Sequence, residues 1–185
     1  ELGPAPASYL NYLDYRAGNN SFEEVAATSV STATVTGKGE AERVMVEWQS
    51  ENLLPMLGVT PALGRGFLPE EAVPRGKRAI LLSHGFWTRR FAADPAVLGS
   101  ALTLDDKDWT IIGVMPPGFH FMFASDIVAP IGTQAEEKSY RERHTRFALF
   151  MVGRLKDGVT LAQATDDMRA IGEGLARSYP AEYGE

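Results

Sequence analysis

Three phrases punctuated by glycine and proline, in fixed order between residues 53 and 120, constrain this chain more than any other feature. The first is Leu57-Gly58-Val59-Thr60-Pro61-Ala62-Leu63-Gly64-Arg65-Gly66-Phe67. The second is Leu82-Ser83-His84-Gly85-Phe86-Trp87-Thr88-Arg89-Arg90-Phe91, and the third is Trp109-Thr110-Ile111-Ile112-Gly113-Val114-Met115-Pro116-Pro117-Gly118-Phe119. Proline fixes φ and glycine tolerates positive φ, so such residues dictate turns, helix stops and strand exits. Gly58 suits a left-handed cap on a short apolar helix over 53–57. Residues 60–67 read as a rigid loop. Ser83 caps a helix that runs to Phe91. Pro116-Pro117-Gly118 ends a strand.

The flanking sequence supplies the remaining elements. Tyr9, Leu10, Tyr12, Leu13 and Arg16 lie at helical spacing, and Gly18-Asn19-Asn20 stops that helix. Ser21-Phe22-Glu23-Glu24 has the form of a capping box and predicts a second short helical turn. Residues 28–36, rich in Ser, Thr and Val, predict a strand. Gly37-Lys38-Gly39 turns it into a partner strand carrying Val44, Val46 and Trp48. Pro69 with Glu70 and Glu71 suits a first helical turn. Strands are expected at 79–82, 101–104, 109–115, 126–130 and 147–155, with the hairpin turn at 105–108. Asp94-Pro95 starts another single turn. Residues 134–144 are strongly charged and read as a solvated loop or an exposed helix. Thr160 and Gln163 form a second capping box. Leu161, Ala164, Met168, Ile171 and Leu175 then make an amphipathic stripe that Pro180 ends.

Strands and helices mix without regular alternation, so the expected fold class is α+β. The long first and last helices each flank a strand, and short strands with stubby helices fill the middle. That pattern predicts two subdomains, the middle one inserted into an outer one built from both chain ends.

Composition removes several kinds of chemistry. The chain has 185 residues, a formal net charge of −6 and no cysteine. The negative charge opposes a nucleic-acid or acidic-membrane partner. Without cysteine there is no thiolate chemistry and no Cys-ligated zinc. The longest apolar run falls short of the ~18 residues of a membrane span. The opening Glu1-Leu2-Gly3-Pro4-Ala5-Pro6-Ala7 lacks the pattern of a signal peptide.

Each candidate reactive group has a plainer structural role. His84, His120 and His144 lie too far apart in sequence for a metal motif and read as ordinary histidines. Asp105, Asp106 and Asp108 lack the glycine and distant glutamate of a calcium loop and suit a hairpin turn. Ser83-His84 are adjacent and cannot share one carbonyl as a triad does. Gly58, Gly64 and Gly66 match no phosphate-loop spacing, and Arg65, Arg89 and Arg90 are too few for a nucleic-acid face. Phe119, Phe121 and Phe123 alternate with His120 and Met122, which fits a buried edge strand or, less simply, a contact patch. No catalytic, cofactor-binding or metal-binding residue emerges.

Taken together, the motifs resemble the extracytoplasmic core domain of MacB-type ABC transporter permeases. The matching residues are Tyr9, Leu10 and Tyr12; Ser21 to Glu23; the phrases at 57–67 and 82–91; Asp94-Pro95, Val97 and Gly99; 112–119; and Arg154-Leu155-Lys156 with Gly158-Val159-Thr160. The resemblance implies a porter-like outer subdomain at 1–49 and 143–185 and a sabre subdomain at 50–142. It also implies a further strand after the last helix. It places the domain on the periplasmic side of the bacterial inner membrane, between two transmembrane helices of the parent permease. The implied function is non-catalytic: ATP hydrolysis in a separate cytoplasmic ATPase domain moves the membrane helices, and the external domain couples that motion to export. The implied partners are those helices, a second permease copy and a periplasmic adaptor protein, with no nucleic acid and no cofactor. A lipoprotein-releasing or cell-wall-hydrolase-regulating permease that grips a protein or lipid is the alternative within the superfamily. An enzyme with a hidden site and a solute-binding groove are the readings from other classes.

Overall fold

The computed structural model describes residues 7–37, 39–143 and 149–183. The chain forms two compact units, Glu1–Ala27 with Ala135–Glu185, and Thr28–Gln134. The units therefore divide near residues 27 and 134, rather than at 49 and 142. The reason lies in the first hairpin. β1 (Phe22–Thr36) pairs antiparallel with β2 (Glu42–Gln49) from Thr28 to Val35, so β2 belongs with the inserted unit.

The first unit begins with α1 (Tyr9–Gly18), whose Ser8 hydroxyl accepts the Asn11 amide and caps the first turn. The expected helical turn at 21–24 is absent, and β1 already starts at Phe22. Pairing overrides local propensity here: the Lys156 amide donates to the Ser21 carbonyl at 3.0 Å, and β8 (Phe150–Leu155) neighbours β1 in the sheet. Gly153 permits that approach, since a Cβ there would overlap the Phe22 ring. The Thr160 and Gln163 capping box opens α4 (Leu161–Ser178), and α5 (Pro180–Tyr183) follows. Asp167 on α4 accepts the Asn20 and Ser21 amides at 2.7 and 2.9 Å. Those amide hydrogen bonds hold its carboxyl below the usual carboxylate range.

The second unit contains α2 (Leu53–Met56), β3 (Leu63–Gly64), β4 (Ala79–Leu82), α3 (His84–Phe91), β5 (Ala101–Leu104), β6 (Lys107–Val114) and β7 (Ile127–Pro130). Its strands are ordered β2-β7-β4-β6-β5-β1, and the β1–β2 pairing closes the order into a six-stranded ring. The ring is mixed, because β2–β7 and β4–β6 are parallel while the other pairs are antiparallel. The α+β expectation therefore holds.

Alternation fills the ring. Ala33 and Val35, Val44 and Val46, Ile80 and Leu82, Leu102 and Leu104, Trp109 and Ile111, and Ile127 and Ala129 are alternate residues of six strands in one core. Phe86 of α3 joins them, with Trp48, Trp87 and Phe91 packed against the cluster. The opposite faces of β4, β6 and β7 are covered too, by Leu54 of α2, Met115, Val59, Phe67 and Phe119. This two-sided burial explains why 79–82 and 127–130 are continuous apolar runs without polar alternation. The second hairpin is tighter than expected: Asp105 and Asp106 alone turn it, at φ of 45° and 61°, and β6 starts at Lys107.

Candidate functional site

The residues that bear chemistry are dispersed into structural roles. His84 opens α3 and stacks edge-on against Trp87, with ring centroids 5.4 Å apart. His120 sits on the exposed loop after β6, its Nδ1 3.1 Å from the Gly118 carbonyl. His144 lies outside the described residues. Among the described residues no three of His, Asp and Glu are grouped to share a metal ion. The Ser83 hydroxyl accepts the Phe86 amide at 3.1 Å and so is occupied as a helix cap. Asp105 accepts the Thr34 amide at 2.8 Å, and Asp108 accepts the Thr103 hydroxyl at 2.7 Å. Asp108 thus joins the two strands of the hairpin, and Asp105 ties its turn to β1. Residues 119–123 form an irregular loop, not an edge strand, with Met122 exposed and the three phenylalanines half-buried.

Glycines of the first and third phrases meet, though not around a ligand. β3 and β6 cross at Gly64 and Gly113. A Cβ on Gly64, whose φ is +77°, would overlap the Ile112 carbonyl oxygen and lie 2.8 Å from the Gly113 Cα. A Cβ on Gly113 would lie 2.7 Å from the Arg65 carbonyl oxygen. Two phrases fifty residues apart are therefore halves of one backbone contact that tolerates no side chain on either strand.

The arginines of these phrases are committed to carboxylates. Arg65 grips Glu71 with two parallel hydrogen bonds of 2.8 and 2.7 Å, and the Leu68 amide adds a third at 2.9 Å. Burial pushes the Glu71 carboxyl up, but the Arg65 and Leu68 hydrogen bonds and the arginine charge outweigh it and leave it below the usual range. Arg89 binds Glu42 at 2.8 Å and Asp126 at 3.1 Å, and Arg90 binds the other Glu42 oxygen at 3.1 Å. The hydrogen bond from Arg89 holds the Glu42 carboxyl below the usual range, and with the Arg90 hydrogen bond and the charges of both arginines it outweighs the opposing effect of burial. These contacts tie the end of α3 to the start of β2. Local spacing gave no signal of either carboxylate partner, since the links span 6 and 47 residues.

A cleft of about 440 Å³ in the second unit lies beside β5, lined by Thr36, Arg90, Phe91, Asp94, Leu102 and Thr103 among others. Its charged groups are already engaged: Arg90 with Glu42, and Asp94 with the Ala96 amide. Thr103 and Asp108, which also line it, are joined to each other as a cross-strand contact of the β5–β6 hairpin.

A family model described as the MacB-like periplasmic core domain matches residues 3–171. Among curated proteins none is significantly similar in sequence. Among solved structures, the chain is similar to the periplasmic region of MacB from Actinobacillus actinomycetemcomitans. That match has 14% identity and a TM-score of 0.73, and covers 93% of this chain and 75% of that one. The extracellular domain of the noncanonic ABC-type transporter YknZ from Gram-positive bacteria is similar at 15% identity and a TM-score of 0.69. Here 94% of this chain and 87% of that one are covered. At these identities the two structures speak for the fold, and the family match speaks for descent.

Proposed function

The chain belongs to the MacB-like periplasmic core domain family of ABC transporter permeases, and on that premise we propose that it is a non-catalytic coupling module. Its place is the extracytoplasmic side of the membrane. In this reading ATP hydrolysis on the cytoplasmic side moves the permease helices, and the domain passes that motion to export by contact with a second permease copy and a periplasmic adaptor. The unit built from both chain ends is the porter-like part, and Thr28–Gln134 is the sabre-like insert.

The observation that carries this reading is the path of the chain. It leaves the first unit at residue 27, completes a closed ring of strands, and returns to the first unit at residue 135. Both ends thus enter one unit, as a domain inserted between two membrane helices requires. The commitment of Ser83, Arg65, Arg89 and Asp105 to caps and clamps supports a mechanical role.

The test is reconstitution of the full permease with its ATPase in liposomes, with residues 28–134 replaced by a short turn. Continued ATP hydrolysis with loss of export is expected. Undiminished export would sink the proposal.

A further inference from the structure

The last helix is held differently from the rest of its unit. α1 and α4 pack closely: a Cβ on Gly172 would lie 2.8 Å from the Tyr15 hydroxyl oxygen, and one on Gly18 would touch the Ile171 side chain at 3.8 Å. α5 has no buried side chain. It is also cut off from α4. Tyr179, at φ of −130° and ψ of 60°, leaves helical geometry, and Pro180 has no amide with which to continue the ladder of hydrogen bonds. The Tyr179–Pro180 step is the kind of element-terminal position that absorbs a rotation.

Polar and aromatic groups tie α5 to α1. Arg143 Nη1 donates to Asp14 Oδ2 at 2.6 Å and to Asn11 Oδ1 at 3.0 Å, both on α1. The same guanidinium lies 3.9 Å from the centre of the Tyr179 ring, a cation–π contact. The Tyr183 hydroxyl donates to the same Asn11 oxygen. All five residues belong to the first unit. Arg143 therefore pins the residue on which α5 turns, and Tyr183 pins its end, to one turn of α1. The Arg143 side chain is 12% exposed, but that of Asp14 is 36% exposed and Tyr179 40%. Water reaches these partners, so their contacts exchange for hydration at small net loss, which buried apolar area does not.

We infer that Arg143 is the pin of a releasable clasp: closed, it holds α5 to α1; open, it lets α5 swing about Tyr179–Pro180. The inference rests on the coupling function proposed above, in which force reaches the domain through its two chain ends. α1 is the first helix and α5 the last, so the clasp sits where that force enters. Arginine suits the pin because its planar fork binds a carboxylate and an amide oxygen while stacking on a ring, and the ammonium of lysine has no such fork.

The test is electron paramagnetic resonance on the full permease with its ATPase in liposomes, with spin labels at A17C and A181C, both exposed positions, in a permease carrying no other cysteine. At rest a short distance is expected, with a longer one in under about a tenth of molecules. Trapping the ATPase with vanadate should make the longer one predominant. R143M should raise the longer population at rest several-fold, and R143K should raise it too, since it keeps the charge without the fork. Y183F removes one hydroxyl and should shift the same equilibrium in the same direction by less. If R143M does not fold, Y183F alone decides. A distribution that vanadate leaves unchanged would overturn the inference. So would resting distributions that these variants leave unchanged. Export is measured on the same liposomes. Unchanged distances in an exporting permease overturn the clasp and leave the coupling function standing, whereas export that persists without residues 28–134 removes that function itself.

Discussion

The two units solve the burial problem differently. In the ring unit, six strands each send alternate residues into a shared interior, and Ile80, Ile111, Ile127 and Phe86 are fully buried there. In the first unit, α4 runs 18 residues and buries only Ala164, while Met168, Ile171 and Leu175 are half-buried and Leu161 is 74% exposed. Hydrophobic stabilisation scales with area removed from water. The ring unit therefore buries far more of its apolar surface than α4 does in this chain. Elements that shift in a working protein are drawn from the low-stability end of a fold. On the proposed coupling function, the ring would act as a stiff lever and the first unit would respond to the membrane helices.

The largest effect that tests this contrast is at Phe86. Phe86→Ala should cost about 3–5 kcal/mol in urea unfolding, because the cavity opens inside a closed ring that cannot collapse onto it. A cost under about 1 kcal/mol would mean the ring is not the rigid unit.

Glu71→Gln comes next, at about 2 kcal/mol near neutral pH, since Arg65 and the Leu68 amide lose a charged acceptor. The sign with pH follows from the depressed Glu71 carboxyl. Its stabilisation is present above the unfolded value, about 4.3, and is lost as pH falls through the lower folded value. Unfolding curves of the two proteins should converge in acid. Equal separation at every pH would contradict the clamp.

Ala92→Gly should raise stability by about 0.5 kcal/mol, relieving a left-handed alanine at φ of 50° against the extra freedom of glycine when unfolded. Leu161→Ala, on the exposed start of α4, should shift stability by less than about 0.5 kcal/mol. A larger loss in the isolated domain would show that the first unit is better packed than its exposure implies.

Much of this architecture was legible because its signals are local. Ser83, the Thr160 and Gln163 box, Gly58 and the two hairpins each announce themselves within four residues. What was hidden depends on distant partners. Residues 22–27, with two glutamates and two alanines, have good helix formers, yet they are a strand because β8 lies beside them. The pairing of Gly64 with Gly113 is invisible for the same reason. The amphipathic stripe of α4 is visible as a pattern, but a pattern does not say how much of it is covered, and Leu161 is 74% exposed. The family was legible in the order of the motifs.

The proposed coupling role implies that α1 and α4 respond to the membrane helices while the ring strands keep their packing. Hydrogen exchange followed by mass spectrometry tests it most directly, comparing the full permease at rest with the ATPase trapped by vanadate. Changes in protection should fall in α1 and α4, with the ring strands β2, β4, β6 and β7 exchanging equally slowly in both states. Changes centred on those ring strands, with α1 and α4 unaffected, would contradict the account.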